Sequence, residues 1–471
     1  MQHRSTCSCS RRHFLRGSGL TLAGFGIASL FPTPLIRQAL AGGLDNPDKR
    51  LIFIFQRGGN DGINSVIPTG DPDYNTTNRP TLYIPPGSAV DLGNGFAHLH
   101  PGLGDLMDLY PGDLAIIHRC GYAGNSRSHF DGQRIWENGD PTQPQMFEGW
   151  LYRYIQEHAI DVGVDLPVIS VQNTPPLVLR GETKYVNVAN PDSFDYIDPD
   201  PKRAKYSGAW RDHFSELVGL ERYRPVLSQT GVKLADTLDE YRAWDQLNYR
   251  PRDPNNATDE LFPVDDQTGS QGVAHSKGFS DESWAFFRSL KLCALSLLES
   301  VGSTNGTRIA GAQLDGWDLH DNQGQLGGRH EELQSWLAYG IRSLRLALNG
   351  AALDNRSYPD IWNDTLVSTM TEFGRTTVEN GSTGTDHAAS SVVFVAGGSV
   401  NGGVYNCNNT TDWPPGIMFA QNGRYLQEAT DYRAVFWEIL KNHMGADPAN
   451  ADAIFPSYTS LGLAAQEPGV I

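Results

Sequence analysis

The segment Leu51-Ile52-Phe53-Ile54-Phe55-Gln56-Arg57-Gly58-Gly59-Asn60-Asp61-Gly62 joins five consecutive apolar residues to a polar, glycine-rich turn. An apolar run without alternating polar residues is typical of a strand covered on both faces, as in the parallel sheets of α/β proteins. In such proteins ligands bind outside the carboxyl ends of the strands. The segment therefore predicts a central strand followed by a loop at the edge where sites are found.

Five further apolar runs predict other strands of the same sheet. They cover residues 114–117, 168–171, 309–312, 365–370 and 391–395. Amphipathic helical patterns lie between them at 280–301, 330–349 and 432–443, and Gly350 is a stop signal for the second of these. We expect an α/β fold in which a mostly parallel, doubly wound sheet carries helices on both faces.

The segment from about 198 to 278 departs from this alternation, because it is rich in charged residues, tyrosine and proline. It has helix-like stretches at 215–220 and 233–248, whereas 253–256 and 267–272 have the composition of loops. We interpret it as a helical insertion between core strands. Residues 42–471 are then a single domain.

The N-terminal segment has the pattern of a twin-arginine signal peptide. Ser10-Arg11-Arg12-His13-Phe14-Leu15 precedes a glycine-containing apolar run at 20–30 and the small-residue cleavage site Ala39-Leu40-Ala41. The apolar run is shorter than the roughly 20 residues that span a bilayer, so we predict a cleaved signal at 1–41 and no membrane span. The twin-arginine machinery is the expected export partner, and the periplasm or the extracellular space is the expected destination.

Charge and cysteine content narrow the possible partners. The signal holds five arginines and no acidic residue, so its removal changes the formal net charge from −17 to −22. A chain this acidic repels nucleic acids and anionic membranes, and neither is expected as a partner. The three remaining cysteines, Cys120, Cys293 and Cys407, allow at most one disulfide, which excludes a disulfide scaffold.

Four polar motifs follow predicted strands, and a parallel sheet would bring all of them to one edge. They are Arg57-Gly58-Gly59-Asn60-Asp61-Gly62, Asn125-Ser126-Arg127-Ser128-His129-Phe130-Asp131, Asp315-Gly316-Trp317-Asp318-Leu319-His320-Asp321, and Glu372-Phe373-Gly374-Arg375 with Gly384-Thr385-Asp386-His387. Their carboxylates, imidazoles and guanidinium groups predict one site that holds a metal ion and a small anionic substrate.

Aspartate and histidine together are typical ligands of zinc, manganese or iron, and sets with more carboxylates suit magnesium. Asp318 and His320 lie two residues apart, so on extended backbone their side chains project to the same side. A turn with a capping aspartate and a core histidine is an equally good interpretation of this pair alone. The candidate ligands of one or two divalent ions (zinc, manganese or magnesium) are Asp61, His129, Asp318, His320, Asp386 and His387.

The remaining candidates concern the substrate. Ser126 and Ser128 are candidate nucleophiles, although either can be an ordinary loop hydroxyl. Arginine beside glycine after a strand often binds an anion, so Arg57, Arg127 and Arg375 are candidates for neutralising charge on substrate oxygens. The alternative for Arg57 and Arg375 is a structural ion pair, with Glu137 and Glu372 as expected partners.

The four motifs, in this order, resemble the exported bacterial family called "domain of unknown function 1501", over essentially the whole mature chain. That family is similar to the alkaline phosphatase superfamily, which includes sulfatases and phosphoglycerate mutases. The resemblance implies an alkaline-phosphatase-like three-layer sandwich. It also implies that the strand ending at Glu372 corresponds to the superfamily strand that carries an Asp-His pair of metal ligands. His387 would then correspond to the superfamily's later histidine ligand, and Asp318 with His320 to the aspartate and histidine of the other metal site.

The chain departs from the superfamily pattern at two places. Gln56-Arg57 stand where a metal-binding aspartate is usual, and Glu372-Phe373 stand where the Asp-His pair is expected. The expected function is an exported metal-dependent hydrolase of phosphate or sulfate esters or a related anionic group. The alternative is a non-catalytic secreted binding or assembly protein that keeps the fold.

Replacement of both Arg11 and Arg12 by lysine should leave the precursor in the cytoplasm. The export receptor recognises two planar guanidinium groups in a fixed pattern, and lysine lacks this group. Fractionation followed by immunoblotting measures the exported share. Normal export of the double variant would show that another route is used.

Overall fold

The computed structural model describes residue 46 and residues 48–124, 126–161, 164, 166–182, 185–188, 249–264, 275–302, 306–350 and 358–471. The predicted signal peptide at 1–41 lies outside the described residues. So do Asn125 and most of the predicted insertion, including its helix-like stretches at 215–220 and 233–248.

The described residues form short and long strands between helices. The strands are β1 (Arg50–Gln56), β2 (Val66–Ile67), β3 (Val90–Asp91), β4 (His98–Leu99), β5 (Leu114–Gly121), β6 (Val168–Val171), β7 (Val186–Asn187), β8 (Arg252–Asp253), β9 (Asn256–Glu260), β10 (Ile309–Leu314), β11 (Thr365–Thr371), β12 (Gly374–Arg375), β13 (His387–Ala388), β14 (Ser391–Ala396), β15 (Gly403–Tyr405) and β16 (Thr430–Asp431). The helices are α1 (Gly62–Ser65), α2 (His129–Asn138), α3 (Trp150–His158), α4 (Trp284–Glu299), α5 (Arg329–Leu348), α6 (Tyr432–Glu438) and α7 (Ala451–Ile454).

Nine of the described strands form one sheet in the order β15-β5-β14-β11-β1-β10-β6-β7, with β16 also paired to β5. Strand β14 runs antiparallel to both of its neighbours, and the other pairs in this sheet are parallel. The carboxyl ends of β1, β5, β10 and β11 therefore lie at one edge, and β14 begins at that edge. The loops that carry the four motifs meet there.

The sheet is buried on both faces, which explains why its strands are apolar throughout. Ile52 and Ile54 of β1 belong to a core that includes residues of α4 and α5. The alternate residues Leu51, Phe53 and Phe55 belong to a second core, which includes residues of α2, α3, α6 and α7. Successive side chains of a strand point to opposite faces, so β1 contributes to both cores.

The sequence predictions of the fold agree with this structure except at one hairpin. The six predicted strands and the three predicted helices are confirmed, as is a mostly parallel sheet with helices. The prediction of a loop at 253–256 was partly wrong, because β8 and β9 pair there as an antiparallel hairpin. Cys120, Cys293 and Cys407 are all free thiols in the core. Within the described part of the chain, every helix is too short or too polar to cross a bilayer.

Candidate metal centre

Four residues with metal-binding side chains converge at the carboxyl edge of the sheet. They are His129, the first residue of α2; Asp318 and His320, in the loop after β10; and His387 of β13. One ligand atom from each lies within 4.8 Å of every other, and we call this group the four-residue cluster. Asp318 is its centre: Oδ1 lies 3.1 Å from Nε2 of His320 and 3.3 Å from Nε2 of His387, and Oδ2 lies 3.3 Å from Nε2 of His129.

Each histidine of the cluster is held at Nδ1 by an oxygen atom from outside the cluster. The pairs are His129 with Glu372 Oε1 at 2.7 Å, His320 with Asp386 Oδ1 at 3.3 Å, and His387 with the carbonyl oxygen of Arg127 at 2.8 Å. Ionised carboxylates and carbonyl groups only accept hydrogen bonds, so Nδ1 carries the proton in each ring. In the neutral rings Nε2 then has a lone pair that faces the cluster.

The Nε2 atoms of the three rings and the carboxylate of Asp318 are all hydrogen-bond acceptors in this state, and none of them donates to another. Nε2 of His320 and Nε2 of His387 are only 2.8 Å apart, so two lone pairs face each other. A proton or a metal cation between them would remove the repulsion. Histidine ligands in metal sites characteristically donate their other ring N–H to a carboxylate or a carbonyl oxygen, as all three do in this cluster.

The donor set of three imidazole nitrogens and one carboxylate oxygen suits some ions better than others. Zinc binds four such ligands in a tetrahedron, and imidazole also suits iron. Magnesium prefers oxygen ligands and keeps several waters, so it fits this cluster poorly.

Protonation of the cluster competes with a cation. The hydrogen bond and charge of Glu372 raise the pKa of His129 above its ordinary value, although burial opposes this. Burial and the nearby charge of Arg375 keep the pKa of His387 low despite its bond to the Arg127 carbonyl. Since metal ligands must be deprotonated, the affinity for a cation should fall as the pH drops through the pKa of His129.

Asp318 is fixed by Arg375, which is only 1% exposed and donates to Oδ1 of Asp318 at 2.6 Å. The same guanidinium donates to the backbone carbonyls of Gly58, Gly59 (2.8 Å), Trp317 (3.1 Å) and Thr385 (3.0 Å). Burial opposes ionisation of Asp318, but Arg375 outweighs it and lowers the pKa of this carboxyl. The donors of Arg375 are therefore used within the protein, which supports its alternative interpretation as a structural arginine, with Asp318 as its ion-pair partner in place of Glu372.

The loop that carries Asp318 and His320 is irregular backbone and not the end of a strand. It is held by hydrogen bonds from Trp317 N to Arg57 O at 3.1 Å and from Thr385 N to Leu319 O at 3.0 Å. Gly58, with φ +118°, lets the loop approach β1, because a Cβ atom there would lie 2.4 Å from Asp318 N. The predicted convergence of Asp318 and His320 is present, but it depends on these contacts.

Asp386 lies behind His320 and is not a member of the cluster. It accepts from Nδ1 of His320 and from Arg424 Nη2 at 3.1 Å, while its neighbour His387 points inward. Adjacent residues of extended backbone project to opposite sides, which explains why only one of the two converges. The analogy placed His387 and the Asp318–His320 pair at different metal sites, and in the fold all three lie in one group.

Asp61 is outside the cluster, contrary to the prediction that it is a candidate ligand. It is 2% exposed, and its oxygens accept from Arg79 at 2.6 and 3.1 Å, from Gln323 at 2.7 Å and from the backbone of Asn64 at the start of α1. Burial opposes its ionisation, but the charge and hydrogen bonds of Arg79 outweigh this and lower the pKa of Asp61 to about 2. The residue is a helix cap and half of a buried ion pair.

Arg57 is also committed to internal contacts. Its guanidinium lies over the ring of Phe55 at 3.9 Å and pairs with Glu137 at 3.0 Å. It also donates to the side-chain oxygens of Gln133, Gln172 and Gln313, each at 3.2 Å. The alternative interpretation of Arg57 as a structural arginine paired with Glu137 is confirmed, whereas Glu372 contacts a histidine.

Two exposed arginines lie next to residues that hold the cluster histidines. The guanidinium of Arg127 lies over the ring of Tyr425 at 4.6 Å, and that of Arg424 lies near the same ring at 5.5 Å. Arg424 is exposed and reaches the cluster through Asp386, whereas Arg127 reaches it through its carbonyl bond to His387. The sequence predicted Arg127 but missed Arg424 and Tyr425, because they follow no strand and no glycine-rich motif marks them.

The two candidate serines precede α2 beside His129. Ser128 is the N-cap residue of α2, yet its hydroxyl makes no capping hydrogen bond. Ser126 is exposed, and its hydroxyl accepts from the backbone N–H of Ser128 at 3.3 Å. Ser128 is thus the serine that is next to a cluster residue and at the positive end of a helix dipole.

A family model described as "Protein of unknown function (DUF1501)" matches residues 235–410. This match supports the resemblance to that family, and it spans Asp318, His320, Glu372 and His387. No curated protein and no solved structure matches the chain.

His320→Ala should lose the stabilisation that a bound divalent ion provides, which is about 2.7 kcal/mol at a hundredfold excess over Kd. In chelator its free energy of unfolding should stay close to that of the wild type, because His320 is only half-buried. Asp61→Asn is the control: it leaves Arg79 without its partner, so it should cost about 3–5 kcal/mol with or without metal. Denaturant unfolding with chelator and with zinc measures both, and equal destabilisation of His320→Ala in the two conditions would make His320 structural.

Glu372→Gln should weaken zinc binding by about 10–100-fold, because it removes the negative charge that supports His129 from behind. Competition with a chromophoric chelator measures the Kd. Glu137→Gln changes a buried glutamate that pairs with Arg57, and its Kd should equal that of the wild type. An unchanged Kd in Glu372→Gln would remove His129 from the proposed ligand set.

Proposed function

We propose that this protein is an exported metal-dependent hydrolase of phosphate or sulfate esters. The observation that carries the proposal is the four-residue cluster, in which three Nε2 lone pairs and one carboxylate converge while each Nδ1 is held by an oxygen acceptor. The proposed export rests on the twin-arginine pattern of residues 1–41.

His129, Asp318, His320 and His387 would hold one divalent ion, and the imidazole-rich donor set favours zinc over manganese and magnesium. With four protein ligands, such an ion would have to accept a fifth ligand, as zinc can, to polarise an ester oxygen or to lower the pKa of a bound water. Glu372, Asp386 and the Arg127 carbonyl orient the three rings. The three histidines are half-buried and Asp318 is exposed. The cluster is therefore accessible to solvent, which leaves room for a substrate at the same centre.

The anionic part of the substrate would be held by Arg127 and Arg424. Both guanidinium groups contact the ring of Tyr425, so an aromatic side chain limits their motion beside the cluster. Arginine is suited to phosphate and sulfate because its planar fork can donate two parallel hydrogen bonds. These two residues take the role expected of Arg57 and Arg375, because Arg127 and Arg424 are exposed whereas Arg375 is buried and Arg57 is mostly buried.

Ser128 is the better of the two candidate nucleophiles. It immediately precedes His129, and its hydroxyl is not used for capping α2. The N-terminus of that helix favours negative charge, which stabilises an alkoxide or an attacked anion near the hydroxyl. Ser128 would either attack the ester or position the attacking water, and Ser126 would shape the loop.

The proposed kinship with the alkaline phosphatase superfamily is supported by the architecture. A mostly parallel sheet between two helical layers carries aspartate and histidine side chains at the carboxyl ends of its strands. The ligand set supports a centre with a single ion, because Asp61 and Asp386 have other partners.

Ser128→Ala should lower kcat for the hydrolysed ester by at least about 100-fold, the loss expected for one positioned polar group, while zinc affinity stays unchanged. Ser126→Ala is the matched control and should retain activity. The assay uses p-nitrophenyl phosphate and p-nitrophenyl sulfate with zinc-loaded and manganese-loaded protein.

Zinc binding without hydrolysis of either ester would contradict the proposal and favour the secreted binding protein. Equal activity of the wild type and Ser128→Ala would instead show that the Ser128 hydroxyl neither attacks the ester nor positions the attacking water.

A further inference from the structure

A cavity opens at the carboxyl ends of β6 and β10, where the loop that carries Asp318 and His320 begins. Its volume is about 200 Å³, and it is closed on the other side by residues of α4 and α5. The carboxyl ends of parallel strands are the usual position of ligand sites in α/β proteins. None of the four residues of the cluster lines this cavity.

The cavity wall holds a buried hydrogen-bond donor that has no acceptor. Gln172 is 2% exposed, and its Oε1 accepts from Arg57 Nη2 at 3.2 Å. Its Nε2 has no hydrogen-bond partner among the residues that the structure describes. Because a buried donor without an acceptor is unfavourable, an acceptor atom of a ligand in the cavity would stabilise this amide.

The rest of the wall suits an uncharged group. Leu314, Phe286 and Trp336 provide apolar surface. The cation of the cavity, Arg329, is paired with Glu282 at 2.8 Å and lies over the ring of Trp336 at 4.8 Å. Glu282 and Asp315 also line the cavity, so its net charge is negative and an anionic group would be repelled.

The cavity and the cluster are connected by the loop after β10. Asp315 and Gly316 line the cavity, and Asp318 of the cluster follows two residues later, all three of them exposed. Two residues span at most about 7 Å, so Gly316 of the cavity wall and Asp318 of the cluster are close enough for one small molecule to contact both.

We propose that this cavity binds the uncharged organic group of the ester, a flat aryl-like group with a hydrogen-bond acceptor that pairs with Gln172 Nε2. The inference rests on the proposed function for the position of the ester, while the binding of the organic group is a separate property of the cavity. It makes the substrate an aryl ester in preference to a small alkyl ester.

Two variants test the cavity in different ways. Gln172→Glu keeps an acceptor for Arg57 and adds no volume, but it replaces the free donor with an acceptor. Ser289→Leu fills the cavity, and among the described residues the hydroxyl that it removes donates to Phe286 O of its own helix. Gln133→Glu is the matched control, because Gln133 also accepts from Arg57 at 3.2 Å but does not line the cavity.

Binding is measured first with the neutral probe 4-nitroanisole on chelator-treated protein, by ligand-observed NMR titration. The wild type and Gln133→Glu should bind it, Gln172→Glu should bind at least about tenfold more weakly, and Ser289→Leu should not bind. Melting curves establish whether each variant is folded. If Ser289→Leu does not fold, the probe affinity of Gln172→Glu alone tests the cavity.

Hydrolysis is measured second, on zinc-loaded protein. For p-nitrophenyl phosphate, kcat/KM should fall at least about tenfold in Gln172→Glu, and for methyl phosphate it should be unchanged. Absence of probe binding to the wild type, or equal binding by the wild type and both cavity variants, overturns the inference whatever the activity. The expected probe binding without hydrolysis of either ester supports the cavity as a ligand site and contradicts only the proposed function.

Discussion

The guanidinium of Arg375 is buried among backbone carbonyl groups from three loops, and the geometry of the cluster depends on it. It bonds to Gly58 and Gly59 after β1, to Trp317 after β10 and to Thr385 before β13. A buried cation without acceptors would be strongly destabilising, so these loops can only pack together with their carbonyls turned toward it. The same guanidinium holds the carboxylate of Asp318, which links the packing of the loops to the position of the central residue of the cluster.

The orientation of the three histidine rings depends on a different set of contacts. His129, His320 and His387 come from segments whose backbone is fixed by the sheet edge, but the rotation and the tautomer of each ring are set by a separate oxygen acceptor. Those acceptors direct Nε2 of each ring toward Asp318. The site thus has two layers: Arg375 positions the loops, and Glu372, Asp386 and the Arg127 carbonyl orient the rings.

Much of the fold could be predicted from the sequence, because strands buried on both faces must be apolar, as in Phe53 to Phe55. The convergence of four motifs followed from the parallel sheet, and His129, Asp318, His320 and His387 were all among the candidates. The sequence did not separate them from Asp61, since only the fold shows that Arg79 and Gln323 occupy its oxygens. A structural role was the stated alternative for Arg375, but its partners were missed, because they are Asp318 and backbone carbonyls distant in sequence. Arg424 was missed because it contacts Asp386 only in the folded chain.

We propose that the three histidines and Asp318 form one centre for a divalent cation. Crystals of the protein grown with zinc, with diffraction data on both sides of the zinc absorption edge, test this most directly. We expect one strong anomalous peak at about 2.0–2.2 Å from Nε2 of each histidine and from a carboxylate oxygen of Asp318. Absence of a peak at the cluster, or a peak beside Asp61 with the cluster unchanged, would contradict it.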